Sequence, residues 1–306
     1  MKKRMVSVLL TCMTGLAMAA CGTDNASVTS EEVKQETEAA ETDGEQKEEA
    51  EEEPVQEETA EQVEVTVFAA ASMTETLTEI SELYKEECPN VNLTFNFDSS
   101  GTLKTQIQEG AVCDLFISAG KKQMDQMDSS SDPEVNTEGL DLVQEDTRID
   151  ILENKVTLCV SDENEAGLTS FDDLAAALKE GSILMAMGNS DVPVGQYTQK
   201  ILAYYELSEQ ELAVNGVISY GTNVKEVTTQ ISEGSVDCGV IYCTDAYSAG
   251  LEVVDSATAE MCGQVIYPAA VLKNSEHSEE AKAFLDFLQT DACMEVFEAV
   301  GFSQVQ

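Results

Sequence analysis

The chain has 306 residues, 59 of them acidic against 16 basic, for a formal net charge of −43. Polyanions would be repelled by such a surface, which excludes nucleic acid and an anionic membrane face as binding partners. Hydrophobic residues make up 42 % of the chain, so a packed core is available once the charged stretches are set apart.

Met1-Lys2-Lys3-Arg4 is a short basic start, followed by an apolar run without charge from Met5 to Ala20. About 20 apolar residues are needed to span a bilayer, and this run is shorter and ends in small residues, so residues 1–20 read as a secretory signal. Its end, Leu16-Ala17-Met18-Ala19-Ala20-Cys21, resembles a bacterial lipobox. That resemblance implies that Cys21 is lipidated and becomes the new N-terminus. Residues 21–62 change character: they are rich in Glu, Thr, Ala and Gln, with 16 acids, two lysines, one proline and no aromatic residue. A segment so poor in apolar surface cannot offset the entropy of ordering, and it reads as a disordered acidic spacer. The remaining residues, 63–306, hold 43 acids and 11 bases, about −32, in a length sufficient for two lobes.

From residue 63 the pattern alternates strand and helix. Val63 to Ala71 is a strand that ends in small residues, and Ser72-Met73-Thr74-Glu75 fits a capping box that opens a helix marked by Leu77, Ile80, Leu83 and Tyr84. Cys88-Pro89-Asn90 stops that helix, and Val91 to Phe97 is a second strand. Asp98 to Thr102 turns into a helix with Leu103 and Ile107 inward, and Asp114 to Ala119 is a short apolar strand of the kind buried in parallel sheets. A second series begins with a strand from Lys155 to Val160. Strands follow at Ser182 to Met187, Val217 to Tyr220, Val236 to Tyr242 and Val265 to Leu272. Helices follow Val192-Pro193 and Asn223-Val224-Lys225-Glu226, the latter a second capping box, and a helix pair spans Ser278 to Phe297. The alternation predicts α/β architecture with mostly parallel sheets and right-handed crossovers.

Seven cysteines remain after Cys12 and Cys21 are set aside, an odd number with no CxxC pair, and the single histidine, His277, lies in a polar loop. Zinc-type ligand spacing is missing, so these cysteines are expected to act as small apolar residues. No GxSxG motif and no Gly-Lys-Ser/Thr phosphate loop occur, and the expectation is a binding protein, not an enzyme. The recurrent feature is a strand running into a helix, at Ser72, Ser100, Val194 and Val224. Each such junction offers unpaired backbone N–H groups and the positive end of a helix dipole. Several facing one another would make an anion site without a basic side chain.

Five segments carry a resemblance: Val67 to Thr74 (VFAAASMT), Ser99 to Leu103 (SSGTL), Ala111 to Ala119 (AVCDLFISA), Val192 to Tyr197 (VPVGQY) and Gly239 to Ala246 (GVIYCTDA). In order and spacing they resemble the periplasmic molybdate-binding proteins of bacterial molybdate ABC importers, over essentially all of residues 63–306. The resemblance implies a two-lobed, periplasmic-binding-protein-like fold of type II with the ligand cleft between lobes. The first lobe would comprise residues 63–153 and 246–306, the second residues 154–245, with crossings near 150–154 and 243–247. It implies that Ser72 and Ser100 bind molybdate through hydroxyl and amide, Val194 and Val224 through backbone N–H, and Tyr242 through its phenol. Tungstate fits the same description, and molybdenum would be present only as the oxyanion, with no cofactor. Asp98 stands two residues before Ser100 and is expected to point away from a dianion.

The implied role is that of a monomeric lipoprotein on the outer face of the cell membrane, handing its ligand to an ABC permease. Sulfate or phosphate as the ligand, or a surface sensor on the same fold, are the competing readings. The anchor is tested by Cys21→Ala, which should release the protein to the medium or leave it unprocessed. A processed variant that still partitions with membranes would show that the lipid is elsewhere.

Overall fold

A computed structural model describes residues 62–305. The predicted signal over 1–20, Cys21 and nearly all of the acidic spacer lie outside the described residues. In chain order the first half runs β1 (Val63–Ala70), a 3-10 turn (Ala71–Met73), α1 (Thr74–Glu87), β2 (Val91–Asp98), α2 (Ser100–Gln108), β3 (Leu115–Ile117), α3 (Lys121–Asp125) and β4 (Ile149–Asn154). It continues with β5 (Val156–Val160), α4 (Phe171–Glu180), β6 (Met185–Gly188), α5 (Pro193–Tyr204), α6 (Glu209–Val214), β7 (Ile218–Gly221), α7 (Val224–Ser232), β8 (Cys238–Tyr242), α8 (Cys243–Ala249) and β9 (Val253–Ser256). The chain closes with α9 (Ala259–Cys262), β10 (Val265–Val271), α10 (Ser278–Phe287) and α11 (Asp291–Ala299).

Two five-stranded sheets result, of order β2-β1-β3-β10-β4 and β7-β6-β8-β5-β9. In each, four strands share one direction and one is reversed, β10 in the first and β5 in the second. The β-α alternation therefore predicts the parallel part correctly, and the reversed strand of each sheet is the one that arrives from the other sheet. Strand β1 shows how residues settle the layers. Its period-2 pattern sends Val65, Val67 and Ala69 into the core with Leu77, Ile80 and Tyr84 of α1, while Phe68 faces the opposite side with Leu103, Ile107 and Phe116. Tyr84 stacks against Phe284 and Phe287 of α10, each at a ring separation of 5.0 Å. In the second sheet, α5 and α7 pack on the central strands β6 and β8.

The two connections between the sheets lie side by side. Lys155 alone separates β4 from β5, and the return runs from β9 through α9 to β10. Because β4 pairs with β10 (Asn154↔Val265) and β5 with β9 (Thr157↔Ser256), the two crossings begin and end beside one another, with the short α9 carried on the return. The return expected at residues 243–247 comes later than that. Residues 243–249 form α8 against β5 and β8, and β9 still hydrogen-bonds to β5, so the chain leaves the second sheet only after Ser256. The physical reason is the short β9, whose pairing adds an edge strand before the chain turns back.

All seven described cysteines are free thiols. Five of them are buried, and burial pushes the thiol of Cys159, for example, up to about 11.

Candidate functional site

The residues that the sequence singles out converge on one place. Ser72 and Ser100 from the first sheet, and Val194, Val224 and Tyr242 from the second, all line a small cavity between the sheets. Ala70, Ala71, Asp98, Ser99, Ala119, Val192 and Pro193 complete its wall. The walls meet closely here: the accessible volume is about 10 Å³, roughly the room one water needs.

Local folding differs from the expected capping pattern in a way that frees donors. The 3-10 turn Ala71–Met73 takes up the residues expected to start α1, so Ser72 lies inside that turn and caps nothing. Its hydroxyl instead meets the Tyr267 hydroxyl at 2.9 Å. Ser99, not Ser100, caps α2 by accepting from the Thr102 amide at 3.1 Å. Ser100 is left to accept from the Ala119 amide at 3.0 Å, which leaves its own hydrogen to point elsewhere. On the other wall, α5 starts at Pro193 without a capping side chain, so the amides of Val194 and Gly195 have no partner within the helix. Asn223 caps α7 through the Glu226 amide at 3.0 Å, leaving the amides of Val224 and Lys225. The expected capping box there is only half formed, because Glu226 accepts from the Thr222 amide at 2.7 Å.

A hydrogen-bond chain runs from the crossing between the sheets to Ser72. The Lys155 amide donates to Asn154 Oδ1 at 2.7 Å, which fixes the orientation of that side-chain amide. Asn154 Nδ2 must then donate to Tyr267 at 3.1 Å and to Thr244 at 3.1 Å. Tyr267 and Ser72 then share a bond in which either hydroxyl can donate, and donation by Tyr267 leaves the Ser72 hydrogen free for another acceptor. Tyr267 and Tyr242 are both fully buried, and desolvation holds their phenols protonated, well above the usual range. Tyr242 spans the cleft, its hydroxyl donating to the Ala119 carbonyl at 3.4 Å, a long bond easily exchanged for a better acceptor. Sequence reasoning missed Tyr267 and Asn154. Both lie in strands, β4 and β10, whose pairing beside the crossings brings them to the site.

Among the described residues, no lysine, arginine or histidine lines the cavity. Its positive potential comes from three helix N-termini, those of α2, α5 and α7, together with the hydroxyl donors. Asp98, expected to face away, sits on the wall. Its Oδ1 accepts from the Ser99 amide at 2.7 Å and from Asn223 Nδ2 across the cleft at 3.4 Å, and these contacts hold it there.

The family comparison decides the class. A model of the bacterial extracellular solute-binding protein family matches residues 65–303. The chain belongs to that family. It is 33 % identical over 244 residues to a Bacillus subtilis protein provisionally named an ABC transporter substrate-binding lipoprotein, covering 79 % of this chain and 87 % of the relative. The molybdate-binding protein ModA of Haemophilus influenzae is 29 % identical over 249 residues, 80 % of this chain and 91 % of that one. Among solved structures, the substrate-binding domain of a provisionally assigned molybdenum ABC transporter from Clostridium difficile aligns with a TM-score of 0.58 at 31 % identity. That alignment covers 80 % of this chain and all of the other. The family is one of solute-binding transport proteins with two α/β lobes, and the two sheets of this solute-binding chain correspond to those lobes.

The lobes touch closely beside the cavity. A side chain at Gly101 would place its Cβ 2.2 Å from the Asp191 carbonyl oxygen of the opposite lobe, well inside contact distance, so this approach needs glycine. Gly101→Ala should therefore hold the lobes apart while leaving the fold intact, since alanine favours a helix by about 0.5–1 kcal/mol over glycine. Small-angle scattering should report a larger radius of gyration with an unchanged or higher melting temperature. Superimposable scattering curves would mean that this contact does not limit closure.

Proposed function

We propose that this protein captures molybdate, or tungstate, outside the cell and delivers it to the permease of an ABC importer. The observation that carries the reading is the lining itself: hydroxyls and helix N-termini from both lobes converge on one small cavity with no basic side chain among its lining residues. In this reading Ser72 and Ser100 donate from the first lobe. Val194, Val224 and Tyr242 donate from the second. The names of the relatives, molybdate-binding and molybdenum transporter, agree with that ligand. The protein acts as a monomer without a cofactor, and the lipid on Cys21 keeps it at the outer face of the membrane. Residues 1–20 serve as the signal and 21–62 as the tether. The first lobe is then residues 63–153 with the C-terminal part, which begins later than the 246 expected because β9 stays with the second lobe.

Donor chemistry favours molybdate over phosphate. Molybdate is fully deprotonated at neutral pH and is satisfied by donors alone. Hydrogen phosphate keeps a proton, and a buried donor without an acceptor costs about 1–3 kcal/mol. One feature favours the second reading: the Asp98 carboxylate on the wall could take that proton. Titration calorimetry against molybdate, tungstate, sulfate and phosphate separates the two. Molybdate should bind at least tenfold more tightly than phosphate, and Asp98→Asn should tighten it by removing a like charge. Phosphate binding that is lost in Asp98→Asn would establish the phosphate reading instead.

The relay behind Ser72 gives an independent check. Tyr267→Phe keeps the ring packing but removes the hydroxyl whose donation to Ser72 leaves the Ser72 hydrogen free for the ligand. Affinity should fall by about 1.5–3 kcal/mol, the range for a hydrogen bond to a charged group, with little loss of stability. Unchanged affinity would show that Ser72 is oriented without Tyr267.

A further inference from the structure

Outside the cavity, one charged cluster spans the two lobes. Lys225 Nζ lies 2.7 and 2.9 Å from the two carboxylate oxygens of Glu75. It also lies 3.3 Å from Asp245 Oδ1. Glu75 belongs to α1 of the first lobe; Lys225 and Asp245 belong to α7 and α8 of the second. Each member sits within three residues of a cavity residue: Glu75 after Ser72, Lys225 after Val224, Asp245 after Tyr242. The Asp245 side chain is 0 % exposed, and neither of its oxygens has a hydrogen-bond partner. The contact with Lys225 is off hydrogen-bond geometry, so it is a charge–charge attraction. A buried carboxylate so placed is costly unless a cation stays beside it.

We propose that Lys225 is a positioning residue that latches the closed cleft: Asp245 of its own lobe holds its ammonium in place, and Glu75 of the other lobe docks on it when the lobes meet. The inference deepens the binding reading above and rests on it for what the latch retains. Burial pushes the Asp245 carboxyl up to about 6 even though the Lys225 ammonium beside it pulls the other way. Asp245 keeps Lys225 beside the α7 N-terminus whether the cleft is open or closed, because both belong to the second lobe. The Glu75 contact exists only on closure. Asp98 and Asn223, whose side chains meet at 3.4 Å, join the lobes near the same helix end.

A latch of this kind acts on opening and leaves entry unchanged, which separates it from electrostatic steering and from a role in folding. Release of molybdate is followed by stopped-flow exchange, using tyrosine fluorescence since the chain has no Trp. In Glu75→Gln release should be about two- to fivefold faster, the range expected of a partly exposed ion pair. Association should stay within about twofold of the wild type. Lys225→Met would strand the Asp245 charge and compromise folding, so the second variant is Lys225→Met with Asp245→Asn. It should release at least as fast as Glu75→Gln, and adding Glu75→Gln to it should change nothing more. Unchanged release in Glu75→Gln, or a further acceleration in the triple variant, overturns the latch. Were the wild type to take up no molybdate, the ligand reading would fail and the latch would be decided by hydrogen exchange without added anion. The amides of residues 99–103 and 223–227 should then exchange about two- to fivefold faster in Glu75→Gln, and equal exchange overturns it.

Discussion

The side chain of Asn154 stands where the chain passes from one lobe to the other, and the site depends on its orientation. Its oxygen is held by the next amide of the chain, that of Lys155, and its nitrogen faces two hydroxyls, Tyr267 of the first lobe and Thr244 of the second. An amide group so pinned can only donate on that side. Tyr267 and Thr244 are thereby both acceptors from Asn154, and Tyr267 links that amide to Ser72 on the cavity wall. The pivot between lobes and the wall of the site are thus joined by one chain of hydrogen bonds. Cys243 donates from its thiol to the same Asn154 oxygen at 3.1 Å, which ties the start of α8 to the crossing.

The absence of any basic side chain from the cavity wall is consistent with the acidity of the domain. A lysine or arginine in the wall would present a charge to every anion in the medium, protonated or not. Dipoles and fixed hydroxyls discriminate by geometry instead. A helix N-terminus contributes about 0.3–1 kcal/mol where exposed and up to about 2 in a partly buried setting. A hydrogen bond to a charged group contributes about 1.5–3 kcal/mol. Three helix ends and three hydroxyls (Ser72, Ser100 and Tyr242) can therefore offset the desolvation of a dianion, but only when all are present. Because they come from both lobes, an oxyanion in an open cleft meets half of them. Closure is then the step at which affinity develops.

Much of this was legible in the sequence, for different reasons. Strand-to-helix junctions at Ser72, Ser100, Val194 and Val224 stand out because a run of apolar residues stops at a small or polar one. Tyr242 ends such a run, and the resemblance to molybdate-binding proteins assigned it a role. Tyr267 carried no such signal. It sits inside Val265 to Val271, seven buried residues in succession, where an aromatic reads as core. Asn154 lies in an amphipathic strand that periodicity alone did not separate from loop. The later return between the lobes was hidden because β9 has four residues with no fully buried position. Its place in the second sheet is set by backbone pairing with β5, not by a hydrophobic pattern. Capping was misassigned at Ser72, and left open between Ser99 and Ser100, for a related reason. Adjacent hydroxyl residues compete for one cap, and tertiary partners, Tyr267 and the Ala119 amide, decide which of them is free.

The strength of the contacts between lobes has to stay within limits for such a receptor to work. A cleft that closed firmly without ligand would exclude the ion, since apparent affinity falls with the fraction of open, competent protein. The Lys225–Glu75 pair is partly exposed, with side-chain exposures of 31 % and 51 %, and pairs of this kind contribute about 0.2–1 kcal/mol. That biases the closed form by a factor of about five at most. The donors around the cavity exceed that bias only when an anion engages them together. The buried charge of Asp245 adds nothing to closure directly, because its partner lies in the same lobe. What it does is keep the Lys225 ammonium from swinging into solvent, or into the cavity, where a free cation would erase the geometric discrimination. A weak latch anchored by a costly buried carboxylate is therefore consistent with a site in which the ligand makes the larger part of the closure energy.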